Sequence, residues 1–178
     1  MNNKNKVFWD NYYKTNNHDI LKPSSFSSFV YESYIEKYNK DNIYLNILDL
    51  GSGNCRDTMF FSSKKNVCYG IDINGVLNKE TNNCKLIKKD VLDVLKTYEL
   101  NTLFDIIYMR WFLHALPYDI SKDIFTNAVN NLKPGGLITI EVRSINDIEL
   151  KQKSVYDERD KSFTTTHKRW LYNVDMLK

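Results

Sequence analysis

Cysteine is scarce in this chain, and the three present are Cys55, Cys68 and Cys84. Their spacing fits no zinc pattern, and an odd number argues against a disulfide framework. Buried, reduced thiols in a soluble cytoplasmic protein are the expectation. No apolar run approaches the ~20 residues a membrane span needs. The N-terminal "MNNKNKVFWDNYY" lacks the apolar core of a signal peptide. Nothing combines aromatic and basic residues in the manner of an RNA-binding motif. The formal net charge of +3 comes largely from lysines scattered among asparagines, which reads as solvated surface and excludes a nucleic-acid partner from the expectation. No metal-ligand cluster is visible. Arginine is scarce too: Arg56, Arg110, Arg143, Arg159 and Arg169.

What the chain does have is 178 residues and 42% hydrophobic content, enough for one domain with a sizeable core. Helical spacing predicts a short helix over Val7 to Asn16. A second begins at Pro23 or Ser24, with Phe26, Phe29, Val30, Tyr34 and Tyr38 recurring on one side. Then the period changes. "IYLNILDL" is a run of β-formers ending at a glycine turn, the pattern of a buried strand.

Strands and helices alternate from there. Arg56 to Lys64 reads as helix, "NVCYGID" as a strand ending at Asp72, and a short helix is expected from Asn74. "CKLIKKD" is a strand ending near Asp90, "VLDVLKTYEL" a helix, and "LFDIIYMRW" a strand. "SKDIFTNAVNNLKPGG" is an amphipathic helix stopped by Lys133-Pro134-Gly135-Gly136, and "LITIEVRS" is the next strand. This alternation predicts an α/β fold, a doubly wound parallel sheet covered on both faces. After Ser144 the chain turns polar and offers no clear strand. Asp175 to Lys178 looks like the opening of a helix, so the domain is expected to be truncated after its fifth strand.

The stretch "ILDLGSGNCRDTMFF" carries the chemistry. A strand, a glycine turn and a helix N-terminus form a site for a nucleotide-like ligand: glycine lets the backbone bend and approach closely, and the helix end offers unpaired N–H groups. A dinucleotide site needs a third glycine, and its place is taken by Arg56. Asp49 would also repel a pyrophosphate. An acid before Gly51 and Gly53 suits a ligand with an ammonium group instead. Asp72, at the end of the next strand, stands where a carboxylate accepts hydrogen bonds from a ribose diol; it also suits a cap for a helix from Ile73. Asp90 and Val91 combine a carboxylate with an apolar neighbour, fit for an adenine edge, and Asp90 also suits a helix N-cap.

Together these residues resemble the class I S-adenosylmethionine (SAM)-dependent methyltransferases, across Ile43 to Ser144. "ILDLGSGN" is similar to the family's first motif, "GID" to its acidic second-strand end, and "KKDVLD" to its adenine-contacting stretch. "FDIIYMRWFLHAL" is similar to the fourth strand and "LKPGGLITIEVRS" to the turn into the fifth. The family's third glycine is Cys55 here. The resemblance implies a Rossmann-like, seven-stranded sheet whose last strands form an antiparallel edge, with no candidates for those strands in this chain. It implies SAM as cofactor, with Asp49 on its ammonium side, Gly51 and Gly53 leaving it room, and Arg56 reaching its carboxylate. A single domain over 1–178 is expected, with residues 1–41 as a helical lid and 42–178 as the cofactor core. Tyr12 and Tyr13 fall in that lid.

Arg56, Arg110 and Arg143 follow predicted strands one, four and five, on the ligand-binding edge of such a sheet. Arginine forks bind phosphate and carboxylate, so a small anionic acceptor is expected. His114, one turn after Arg110, is a candidate general base, phosphate donor or structural histidine. Glu141 and Arg143, two apart on one strand, are candidates for a salt bridge. A narrower resemblance joins "WDNYYKTN", "PSSFSSFV", "RWFLHAL" and "EVRSINDIELKQK" to small methyltransferases of bacterial surface-polysaccharide clusters, some serving O-methyl phosphoramidate decoration of capsules. It implies a phosphorylated acceptor such as L-glutamine phosphate. The competing expectations are a sugar hydroxyl as acceptor, or a silent SAM-binding module.

Overall fold

The structure is a computed structural model that describes residues 3–15, 22–37, 43–76 and 80–177. Five parallel strands form the central sheet: β1 (Asn46–Leu50), β2 (Val67–Ile71), β3 (Cys84–Ile87), β4 (Phe104–Arg110) and β5 (Leu132–Glu141), in the order β3-β2-β1-β4-β5. The helices are α1 (Asn3–Thr15), α2 (Ser25–Val30), α3 (Arg56–Ser63), α4 (Val91–Thr97), α5 (Tyr118–Asn130) and α6 (Ile148–Lys153). A wider π turn, Tyr31–Glu36, carries α2 onward.

Successive residues of the central strands serve opposite faces, as the period of two requires. Leu48 and Leu50 of β1, with Ile107 and Met109 of β4, pack into one core with Val94, Leu95, Ile124 and Trp170. Ile47, Ile106 and Tyr108 face the other core, with Val30, Ile35 and Phe61. Burial on both faces explains why β1 and β4 read as continuous apolar runs. The doubly wound parallel fold is as expected.

Several boundaries differ from the expectation. Asn16 and Tyr38 lie outside the described residues. The second helix starts where expected: Ser24 caps it, accepting from Ser27 N at 3.0 Å. No helix forms over Asn74–Val76. Asp72 Oδ1 accepts from Asn74 N at 2.8 Å, and Val76 N donates to Gly53 O at 2.8 Å, so the chain is tied back to the glycine turn. The proline–glycine run does not simply separate α5 from β5. It bulges within the start of β5, where Phe104 pairs with Leu132 but Ile106 with Leu137.

The polar stretch after Ser144 does contain strands. β6 (Val155–Asp157), β7 (Ser162–Thr164) and β8 (Lys168–Arg169) form a separate antiparallel sheet. Strands of two or three residues are too short to show alternation, which hid them in the sequence. Trp170, fully buried, then anchors this segment on the main core, its Nε1 donating to Asp160 O at 2.9 Å.

Candidate active site

A cleft of about 440 Å³ opens at the carboxyl ends of the strands, where the sheet order reverses between β1 and β4. Its floor is the β1–α3 turn. Gly51 (φ +74°) and Gly53 (φ +57°) both hold left-handed backbone. A Cβ on Gly51 would run into the Phe112 ring, and one on Gly53 into the Tyr13 hydroxyl. Gly51 N and Ser52 N donate to Ile71 O at 2.8 and 3.2 Å, which binds the turn to β2. Cys55, where the resemblance would place a third glycine, also takes left-handed backbone at φ +58° and is fully buried. That conformation costs a side-chain-bearing residue about 1–2 kcal/mol.

Three acids at three strand ends line this floor. Asp49 is 3% exposed and accepts from Thr58 Oγ1 at 2.6 Å. Burial pushes its carboxyl up to about 8, against the pull of the Thr58 bond. Asp72 accepts from Gly53 N at 3.0 Å, and burial raises its pKa too. Asp90 caps α4, accepting from Leu92 N at 2.9 Å, and still lines the cleft with Val91. Ile73 and Asn74 complete this end, and Asn74 Oδ1 is buried without a hydrogen-bond partner among the described residues.

A buried network stands behind the floor. Asp57 accepts from Ser24 N (2.8 Å), Ser24 Oγ (2.7 Å), Ser27 Oγ (3.0 Å) and Tyr108 Oη (2.9 Å). One carboxylate thereby joins the start of α2, the first turn of α3 and β4. It was not legible in sequence, because its members are scattered through the chain.

The far wall comes from α1 and the C-terminal segment. Phe8, Trp9, Tyr12 and Tyr13 of α1 meet Thr166, His167 and Arg169. The His167 ring lies 4.5 Å from Phe8 and 5.0 Å from Trp9 between centroids. Burial, then the charge of Arg169, lowers His167 to about 4. Burial also raises the Tyr13 hydroxyl above the ordinary tyrosine range.

Of the residues expected from sequence, Asp49, Gly51, Gly53, Arg56, Asp72, Ile73, Asp90, Val91, Arg110, Tyr12 and Tyr13 all line the cleft. Two do not. His114 sits in a short 3-10 turn, 3% exposed and outside the cleft lining, and burial holds it down at about 3. Arg143 lies behind Trp111, its guanidinium 5.2 Å from the ring centroid, and pairs with Asp147 at 3.1 Å. The expected Glu141–Arg143 bridge is also replaced. Glu141 is the register partner of Arg110, and the two make the ion pair, at 2.7 Å. Arg56 approaches Asp57 only to 3.8 Å. Sequence reasoning missed His167 and Arg169. The available signal was "THKRW", a basic and aromatic cluster in an otherwise polar tail.

A family model described as "Methyltransferase domain" matches residues 48–140. No curated protein sequence matches the chain. Among solved structures, the DhpI-SAM-HEP complex is 14% identical with a TM-score of 0.60, over 98% of this chain and 84% of that one. The PH0226 protein from Pyrococcus horikoshii OT3 is 15% identical with a TM-score of 0.66, over 94% and 85%. The plantazolicin methyltransferase BpumL, solved with SAH, is 17% identical with a TM-score of 0.57, over 89% and 59%. At these identities the likeness is one of fold.

Proposed function

The chain belongs to the methyltransferase-domain family, and from that membership we propose that it moves a methyl group from SAM to an oxygen of a small anionic acceptor. It is a SAM-dependent methyltransferase, and SAM is its cofactor. The acceptor and the roles of individual residues are the proposal.

The residues at the cleft floor suit SAM. Gly51 and Gly53 let the backbone turn at positive φ, packed tightly under Phe112 and Tyr13, and Asn74 Oδ1 is a buried acceptor without a donor among the described residues. In this reading Asp49 faces the ammonium group, Arg56 the carboxylate, Asp72 the ribose hydroxyls, and Asp90 with Val91 the adenine. When bound, SAM supplies a methyl group on a sulfonium, which is already a good leaving group.

The chain's own work is then alignment and exclusion of water. Tyr12, Tyr13, Trp9 and Phe8 of α1 act as the lid over the reacting end. An anionic oxygen needs no general base. The burial of His114 outside the cleft agrees with that, because a hydroxyl acceptor would have called on it. The observation that carries the anionic acceptor is the cation left at the cleft wall once Arg56 is given to SAM and Arg110 to Glu141: Arg169 lines the cleft with no carboxylate within 4 Å among the described residues. The narrower resemblance to surface-polysaccharide methyltransferases points the same way, towards a cytoplasmic enzyme of capsule modification and a phosphorylated acceptor of the L-glutamine phosphate kind. Among the described residues no helix is long and apolar enough to cross a membrane.

Calorimetric titration with SAH, with NAD run beside it, tests the cofactor assignment: saturable binding of SAH alone is expected. Methyl transfer is then assayed with phosphorylated, carboxylated and neutral hydroxylated small molecules. Turnover of the neutral compounds alone would overturn the anionic acceptor.

A further inference from the structure

The arginines of this protein are unequal. Arg110 is paired with Glu141, Arg143 with Asp147, and Arg159 with Asp157 at 2.9 Å; Arg56 has Asp57 at 3.8 Å. Arg169 lines the cleft, is only partly exposed, and has no carboxylate within 4 Å among the described residues. A partly buried cation without a counter-charge is unfavourable unless something supplies one.

Its guanidinium is nevertheless held in place. Nη1 donates to Thr165 Oγ1 at 2.5 Å, and Nη2 lies 3.4 Å from His167 Nδ1. A guanidinium only donates, so with Arg169 as its partner Nδ1 is the accepting nitrogen of the imidazole, a role in which it also accepts from Thr166 Oγ1 at 3.2 Å. The ring proton therefore sits on Nε2. That N–H is buried and has no hydrogen-bond partner among the described residues. His167 itself is 7% exposed and lines the same cleft. Lys168, between the two residues, is pinned by Asn5 of α1 through both its N–H and its carbonyl, each at 3.0 Å. The pair is thus built into the wall and not carried on a loose tail.

We propose that Arg169 and His167 together form the seat for the anionic group of the acceptor, a carboxylate or phosphoryl oxygen, with the Arg169 guanidinium and the His167 Nε2–H as its donors. The inference rests on the anionic-acceptor reading above and moves the anchoring role away from Arg110 and Arg143, whose charges are already answered. It also makes His167 a hydrogen-bond donor and not a base. Its Nδ1 lone pair is directed to Arg169, and its burial keeps the ring neutral. Burial and the nearby charge of Arg143 both lower the proton affinity of Arg169, and a bound anion would relieve that strain.

The test uses the whole chain saturated with SAH, and follows tryptophan fluorescence during titration with inorganic phosphate and, separately, acetate. Trp9 and Trp111 line the cleft and report occupancy. Saturable binding of at least one anion is expected. Phosphate preferred over acetate names a phosphoryl group, the reverse a carboxylate. Arg169→Met should weaken that binding at least tenfold while leaving SAH affinity within about twofold, and Arg169→Lys should recover part of it. His167→Phe keeps a ring against Phe8 and Trp9 but loses the donor, and should weaken the anion several-fold. Anion binding at wild-type strength in Arg169→Met that still binds SAH would overturn the seat alone. Wild-type protein that binds SAH but neither anion would overturn the seat and the anionic-acceptor reading together.

Discussion

Asn5 and Lys168, 163 positions apart, exchange a pair of hydrogen bonds: Asn5 Nδ2 donates to the Lys168 carbonyl at 3.0 Å, and Lys168 N donates to Asn5 Oδ1 at 3.0 Å. The same Nδ2 reaches the Ala115 carbonyl at 2.9 Å. A fully buried side chain thereby joins the first helix, the loop after β4 and the C-terminal sheet, the three walls around the outer cleft. Asn5→Ala leaves these main-chain groups short of partners and should destabilise the fold by about 2–3 kcal/mol. Urea denaturation measures this, and a loss under 0.5 kcal/mol would show that the clamp contributes little.

Asp49 should give the protein an unusual pH response. Burial lifts its folded pKa to about 8, far above the ordinary carboxylate value of 3.8, so the folded state holds a proton that the unfolded chain has released. Stability from this group is therefore full below about pH 4 and is lost as pH rises towards 8. His114 and His167 act in the opposite sense. Their folded values of about 3 and about 4 lie below 6.5, so they remove stability only as pH falls through that range. Between pH 6.5 and 8 Asp49 contributes a decline on the order of 1–2 kcal/mol, in the same sense as Asp72, whose carboxyl burial also raises. Comparing Tm across that window for wild type and Asp49→Asn checks it: the decline should flatten in the variant. Near pH 7, SAH binding should also release protons in wild type and not in Asp49→Asn, read by calorimetry in buffers of different ionisation enthalpy.

Gly53 and Tyr13 are coupled through space. Gly53→Ala forces a Cβ into the Tyr13 hydroxyl and into left-handed backbone, and should lower SAH affinity more than tenfold. Tyr13→Phe removes the clashing oxygen. The double variant should regain part of the loss, and a double-mutant cycle measures the coupling. Strict additivity would mean that the backbone strain acts alone.

The Asp57 carboxylate has four donors, from Ser24, Ser27 and Tyr108. Asp57→Ala strands them in the interior and should destabilise by about 3 kcal/mol or more, whereas Tyr108→Phe removes one donor and should cost about 1–2 kcal/mol. Thermal and urea unfolding of both variants tests the ranking, and equal losses would contradict it.

His114→Gln separates a base from a structural histidine. The ring is buried beside Trp111 and outside the cleft lining, so the substitution should change turnover by only a few-fold and leave the pH–rate profile in place. Its main effect should be on Tm. A loss of a hundredfold or more in kcat at unchanged stability would restore the base.

The sequence by itself determined the sheet, the helix alternation and the strand-end acids proposed to hold the cofactor. Those features are local. A continuous apolar run specifies a strand buried on both faces, a glycine at positive φ marks a turn, and an acid at a strand end is carried to the ligand-binding edge by the fold's own handedness. Asp49, Asp72 and Asp90 were therefore visible as three separate strand endings before any contact was known. Only the tertiary structure decided the acceptor end. Whether Arg110, Arg143 or Arg169 keeps a charge to offer depends on Glu141 and Asp147, and on how the C-terminal segment folds back against α1. Glu141 is two residues from Arg143 in the chain, yet it pairs with Arg110 because the β4–β5 register sets them side by side. Ion pairs form between neighbours in space, and spacing along the chain does not encode which cation is left without one.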